Sequence, residues 1–255
     1  MDYDALLETS TEIGYRLMES GAEIYRVEES IRRILEAYHP KSAEVFAIPN
    51  CIISSLVTPD GKPLTRMRRV PNHGTNVEQL ESYNALCRSI CSERPELPEL
   101  KRQVEAVKRK NRSYPLWALM AAYFGATAFF SLFFQGTWRD ALCAGVCGVA
   151  IGVCQRFMAR LGTNLFFRTI ACATVSAVIA LGLTAVGVGQ NVDRITIGAL
   201  MTLVPGVAIT NAMREIMGGD MVAGISRVAE GVLIATAIAL GTGVAMSLSR
   251  LFWGA

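Results

Sequence analysis

Apolar positions in the first part of the chain recur at helical spacing and then give way to alternation. Leu6, Leu7, Ile13, Leu17 and Met18 predict a helix from about Tyr3 to Glu19. Ser20-Gly21-Ala22-Glu23 reads as a capping box, in which a serine oxygen and a glutamate satisfy the free N–H groups of a helix start. A second helix is expected from about Gly21 to Tyr38, burying Ile24, Val27, Ile31, Ile34 and Leu35 and stopping at His39-Pro40. Glu44–Ile48, Cys51–Thr58 and Leu64–Val70 read as strands. Pro59-Asp60-Gly61-Lys62 is a hairpin turn, because Gly61 accepts the positive φ that a tight turn needs. A small antiparallel sheet packed on helices follows. A turn at Pro71-Asn72-His73-Gly74, a helix over about Asn76–Cys91, a turn at Glu93–Pro98 and a helix over Glu99–Arg112 complete an N-terminal α+β domain, residues 1–114.

Beyond residue 114 the periodicity is replaced by long apolar runs. Five membrane spans are expected: Pro115–Gln135, Ala141–Gln155, Thr169–Gly189, Ile195–Met213 and Gly231–Ser249. The second is short and borrows its flanks, Trp138 and Phe157. Its Gly148 and Gly152 have the small-xxx-small spacing that lets helices approach closely. Trp253 reads as an interfacial anchor. The fold class is therefore an α-helical polytopic membrane protein of five spans, residues 115–255, behind an N-terminal cytoplasmic α+β domain.

Charge sharpens this division. Of 25 Lys+Arg and 22 Asp+Glu, residues 1–114 hold 17 and 17, and residues 115–255 hold 8 and 5, with no lysine after Lys110. Arg156, Arg160 and Arg168 lie between spans two and three, and Arg214 and Arg227 between spans four and five. The other loops carry only Arg139 and Arg194, each beside an aspartate. Basic loops on one side predict an N-terminus inside and a C-terminus outside. The cluster Lys101, Arg102, Lys108, Arg109, Lys110 and Arg112 reads as an anchor at the lipid surface.

Several classes are excluded by the same inspection. The acidic N-terminus (MDYDALLETS) has no apolar run, so no cleavable signal peptide is expected. No basic run interleaves with aromatics, so nucleic acid is not the expected partner. Seven cysteines show no secreted disulfide pattern. Cys87 and Cys91 share a helix face, but the only histidines are His39 and His73, so no metal or other cofactor is expected. No Walker-type phosphate loop, Gly-x-Ser-x-Gly or His-Glu-x-x-His is present, so neither ATP hydrolysis nor enzymatic catalysis is expected.

The candidate chemistry gathers in Ile195–Glu230. Pro205-Gly206 interrupts an uncharged segment, and proline there removes a backbone donor and clashes with the preceding turn. In lipid, freed backbone groups must find partners in protein or in a wet cavity, so a broken helix followed by ionisable groups marks a solute path. The residues proposed to line it are Thr202, Pro205, Gly206, Thr210, Asn211, Arg214, Glu215, Asp220, Arg227 and Glu230. Each has a plainer reading. Thr202, Thr210 and Asn211 would bond between helices, Arg214 and Glu215 would be a loop ion pair, and Gly218-Gly219-Asp220 would be a turn. Glu23, Arg26, Glu29 and Arg33 likewise read as a solvated helix face.

Two stretches carry a family resemblance. One is Ser20-Gly21-Ala22-Glu23-Ile24-Tyr25-Arg26-Val27-Glu28, with Ile48-Pro49-Asn50 and Thr65-Arg66 downstream. The other runs from Leu203-Val204-Pro205-Gly206 through Thr210-Asn211 and Arg214-Glu215 to Gly219-Asp220, Gly224, Arg227 and Glu230. The chain resembles the threonine/serine exporter family, in its separate N-terminal-type subunit. Gly21, Glu23, Tyr25, Arg26 and Glu28 are the motif residues of the first stretch. The resemblance implies a multi-pass protein of the bacterial inner membrane, with its N-terminus cytoplasmic, that takes part in efflux of threonine and serine or of dicarboxylates such as succinate. Longer members have about ten spans, so a five-span chain implies a hetero-oligomer with a separate small multi-span protein of the same family. The alternative is a membrane-tethered module in which the N-terminal domain senses a metabolite and the spans only anchor it.

Overall fold

The computed structural model describes residues 1–71, 74–110 and 114–253, the last four of these as backbone. The expected turn at Asn72-His73, the helix end at Arg112 and the anchoring side chain of Trp253 lie outside the described residues. The chain forms two compact units. The first joins Met1–Arg112 to Thr210–Arg227, and the second joins Ser113–Ile209 to Val228–Ala255.

In the first unit, α1 (Tyr3–Glu19) starts at Asp2, whose carboxylate accepts from the Ala5 N–H, and ends at Ser20. Helix α2 covers Ile24–Ala37, followed by the strands β1 (Ser42–Ile48), β2 (Cys51–Val57) and β3 (Pro63–Arg69). These form an antiparallel meander in the order β1-β2-β3, with Ser54 opposite Val45 and Arg66. Gly61 takes a φ of 89° in the β2–β3 turn, as the sequence requires. Two further helices, α3 (Val77–Glu93) and α4 (Leu97–Arg109), close the N-terminal part. The core is built of large aliphatic side chains, among them Leu6, Leu7, Ile13, Leu17, Ile24, Ile31, Ile34, Leu35, Ile52 and Leu56. A buried hydroxyl pair, Thr11 Oγ1 and Ser54 Oγ at 2.5 Å, ties α1 to β2. On the outer face Arg66 pairs with Asp4 and Glu8, and Arg68 with Glu12.

The expected capping box does not form. Gly21 adopts a φ of 96°, so the chain reverses there and Ser20 becomes the C-cap of α1. The Ser20 hydroxyl points to Gln79 instead. Helix α2 begins at Ile24, three residues later than its apolar periodicity suggests, behind Glu23, whose side chain makes no cap bond.

The second unit contains α5 (Leu116–Phe133), α6 (Trp138–Arg160), α7 (Leu165–Ala185), α8 (Val192–Leu200), the start of α9 (Gly206–Met217) and most of α10 (Met221–Trp253). Helices α5, α6, α7 and α10 are long and apolar enough to cross a membrane. Their mutual contacts use small residues. A Cβ at Gly148 would lie 2.6 Å from the Tyr123 carbonyl oxygen, and one at Gly152 would lie 2.7 Å from the Tyr123 ring. Thr174 on α7 donates to the Gly241 carbonyl of α10 at 3.0 Å.

Two expected spans take a different form. The segment Ile195–Met213 is not one helix: α8 has 9 residues and α9 has 12, with irregular backbone between them. At 1.5 Å per residue neither alone reaches the ~30 Å of a hydrocarbon core. The fifth apolar segment belongs to a continuous 33-residue helix that starts ten residues before Gly231, so Glu230 lies within it and not at its boundary.

Candidate functional site: an ionic cluster between the α1–α2 turn and the α9–α10 turn

The first unit brings together two stretches of sequence that lie 191 residues apart. One is the turn Ser20–Glu23 with the first residues of α2. The other is the turn between α9 and α10. Local chemistry makes the second turn. Gly219, with a φ of 93°, closes α9, and the Asp220 N–H donates to the Glu215 carbonyl. Asp220 then caps α10, its carboxylate accepting from the Ala223 N–H at 3.2 Å. The two helix ends press together at Gly224, where an added Cβ would lie 2.3 Å from Ile216 Cγ1 and 3.0 Å from the Ala212 carbonyl oxygen.

Glu215 is the centre of the arrangement. Its side chain is 0% exposed. One carboxylate oxygen, Oε1, accepts from the backbone N–H of Ile24 at 3.3 Å and lies 3.1 Å from Arg227 Nε. The first N–H of α2, left without a cap by its own sequence, is thus satisfied by a carboxylate from α9 at the positive end of the helix dipole. The second oxygen, Oε2, is buried with no hydrogen-bond partner among the described residues. Burial pushes the Glu215 carboxyl above the ordinary carboxylate range. Arg227 and the Ile24 N–H oppose that shift, and nearby Asp220 and Glu23 add to it.

A second acid–base chain runs beside the first. Glu23 is nearly buried, and its two oxygens face two arginines: Arg214 Nη1 at 3.1 Å from Oε1 and Arg26 Nε at 3.2 Å from Oε2. Arg227 also donates from Nη2 to the Ala22 carbonyl at 3.0 Å. Glu28, one turn further along α2, is half-buried and accepts from the Ala47 N–H of β1 at 2.7 Å. Its carboxyl is raised first by burial and further by Asp220, against the Ala47 bond and Arg32. Replacing one partner of a buried pair leaves the other charge stranded, at about 3–5 kcal/mol.

The structure therefore gathers Glu23, Arg26, Arg214, Glu215, Asp220, Arg227 and Glu28 in one unit, with Gly21 shaping the turn. Thr210 and Asn211 lie earlier on α9 in the same unit, Thr210 exposed and Asn211 half-buried. Thr202, Pro205, Gly206 and Glu230 belong to the second unit. Thr202 donates to the Ala199 carbonyl at 2.9 Å at the end of α8, Pro205 and Gly206 start α9, and Glu230 is an exposed residue of α10. Tyr25 lies exposed on α2, within 3.2 Å of Arg26 Nε.

One polar site escaped the sequence reading. Asp140 reads there as the partner of Arg139. It is instead fully buried and accepts from Thr137 N–H and Oγ1 in a true capping box at the start of α6. It also accepts from the Gln190 and Asn191 N–H groups at 2.7 and 3.0 Å. The signal was local: Thr137 stands three residues before Asp140, the spacing of a capping box.

Comparison with known proteins gives a family model and curated relatives. The family described as "Putative threonine/serine exporter" matches residues 8–249. A "Probable threonine/serine exporter" of Mycobacterium tuberculosis is 22% identical over 237 residues, covering 92% of this chain and 45% of that protein. A "Pheromone-regulated membrane protein 10" of Debaryomyces hansenii is 24% identical over 248 residues, covering 93% of this chain and 24% of that protein. The chain thus spans less than half the length of these curated relatives. No solved structure matches it. Because the match takes in both compact units, including the α1–α2 turn and the α9–α10 turn that build the ionic cluster, the chain belongs to the threonine/serine exporter family.

Proposed function

We propose that this chain is the subunit of a secondary exporter of small polar metabolites in a bacterial inner membrane, carrying threonine and serine or dicarboxylates such as succinate. The observation behind this reading is the break between α8 and α9, within a family match that spans residues 8–249. In a membrane, the irregular backbone at Met201–Pro205 needs partners from protein or water, and a water-lined path is where such breaks are tolerated. Thr202, Pro205 and Gly206 at the break, with Thr210, Asn211 and Arg214 along α9, are the residues proposed to meet the solute. The ionic cluster then fixes the far end of α9. In this reading the segment Ile195–Met213, from α8 into α9 and ending before Glu215, makes one of five crossings, with the N-terminus cytoplasmic, as the arginine distribution favours. A separate small multi-span protein of the same family is the proposed partner, as the resemblance to the separate N-terminal-type subunit implies.

The test is efflux of labelled threonine, serine and succinate from loaded cells that express the chain with and without such a partner. Efflux only with the partner is expected. Asn211→Leu should abolish that efflux while leaving the protein inserted. Unchanged efflux in Asn211→Leu would remove α9 from the path, and absence of efflux for all three solutes with both proteins inserted would sink the transport reading.

A further inference from the structure

The exporter motif in α2 serves two directions, and the ionic cluster takes only Arg26 from the second of them. Glu23 and Glu28 engage Arg214 and Ala47. Arg26, Glu29, Ser30 and Arg33 share the other face, at spacings of three, four and seven residues. Asn84, Cys87, Arg88 and Cys91 of α3 repeat the same spacing. These two faces line a cavity of about 670 Å³ within the first unit, with Tyr25 and Ser92 also contributing. That volume falls in the range of small-molecule sites.

The charge of the cavity is unbalanced. Three arginines line it against a single glutamate. Arg33 is held by Glu29 at 2.5 Å and Arg26 by Glu23 at 3.2 Å, so both guanidinium groups are oriented yet keep donors to spare. Arg88 is exposed and has no carboxylate partner among the described residues. Such an array suits a ligand that brings about two negative charges and several acceptor oxygens in a compact head. A phosphate monoester does this, with a charge of about −1.5 to −2 and three oxygens that guanidinium groups can bond in pairs. The sulfur atoms of the half-buried Cys91 and the buried Cys87 offer no competing charge, since burial pushes the Cys87 thiol up to about 12 and raises that of Cys91.

We propose that the groove between α2 and α3 binds a phosphate monoester through Arg26, Arg33 and Arg88, as a site separate from the transport path. This goes beyond the transport reading and does not depend on it.

The experiment is calorimetric titration of the full chain in phosphatidylcholine nanodiscs with inorganic phosphate, glycerol 3-phosphate and succinate. Saturable binding of both phosphates is expected. It should weaken about tenfold in Arg88→Ala, the loss of one charge-assisted contact. Since Arg88 makes no ion pair among the described residues, the thermal unfolding profile of that variant should match the wild type. Arg33→Gln serves as a second variant with the same expected direction. Phosphate should also slow alkylation of Cys91, which reports occupancy without any substitution. Repeating the titration in nanodiscs containing phosphatidic acid separates the sources. Loss of soluble binding there assigns the groove to a lipid phosphate head, and retained binding assigns it to a free metabolite; both support the phosphate chemistry. Binding of succinate as tight as phosphate, equal binding by Arg88→Ala, or no saturable heat for either phosphate would overturn the proposal.

Discussion

The two compact units are built on opposite size rules. The first buries leucine, isoleucine and methionine, with Leu6, Leu7, Ile13, Met18, Ile24, Ile31 and Ile34 all at 0% exposure, and buries charge only where Glu23 and Glu215 are met by arginines. The second buries small side chains such as Ala144, Cys147, Cys172, Ala173, Ala180 and Ala199, and leaves Trp117, Phe129, Phe133, Phe157 and Phe167 on the outside. Water explains the first pattern, because each large apolar side chain removed from it contributes about 1.5–3 kcal/mol. Lipid explains the second. A phenylalanine gains nothing by leaving a hydrocarbon for a protein interior, so close contact through glycine and alanine becomes the means of holding helices together. The ionic cluster sits in the first unit although four of its members come from the α9–α10 end of the apolar half, and its buried carboxylates are each set against an arginine.

The strongest way to break this comparison is at the cluster. Arg227→Ala should lower the stability of the first unit by about 3–5 kcal/mol, because Glu215 would be left charged and buried. The double change Glu215→Leu with Arg227→Met should recover most of that loss. Chemical denaturation of the two variants checks both statements, and additive losses would show that the pair is not coupled. Next in size is Leu17→Ala, at about 2–5 kcal/mol, since a cavity opens in a packed aliphatic core. The corresponding change in the second unit runs the other way. There Gly148→Leu should destabilise by about 1–3 kcal/mol by overpacking against Thr127 and the Tyr123 carbonyl, and loss of the folded fraction in detergent would report it. Enlarging Gly148 without effect would contradict small-residue packing.

The smallest effect expected is a pH dependence. Glu28 and Glu215 have folded-state values raised above those of the unfolded chain. Between the unfolded and folded values the native state holds more protons than the unfolded one, so this contribution is present at low pH and is lost as pH rises through the folded values. Glu28→Gln keeps an acceptor for the Ala47 N–H and removes the titration. Its stability should therefore vary less with pH than that of the wild type over the same window, and identical profiles from thermal melts would exclude the effect.

Much of this was legible in the sequence because it is local. Periodicity placed α1 and the three strands, since amphipathic faces at 3.6 and 2 residues follow from burial on one side, and the length of the apolar runs placed α5, α6, α7 and the apolar part of α10. Pro205 marked the break between α8 and α9 because proline cannot donate to the turn before it. The motif residues from Gly21 to Glu28 were marked by the family resemblance, and those from Arg214 to Arg227 as the charges that follow a broken apolar segment. Their partnership did not, because no local pattern links positions 191 residues apart. The same gap explains the misread capping box: Ser20 and Glu23 have the right spacing, but Gly21 reverses the chain between them and the missing cap arrives from Glu215. Asp140 was overlooked for a related reason, as its bonds to Gln190 and Asn191 join two turns that are adjacent only in space. By itself, then, the sequence determined where helices and strands form, which segments suit lipid and where the backbone must break, because these depend on the chemistry of neighbouring residues. Only the tertiary structure decided which helix end Glu215 caps, which arginines flank Glu23 and which faces of α2 and α3 meet, because desolvation and pairing of charges depend on what chain folding brings within about 3 Å.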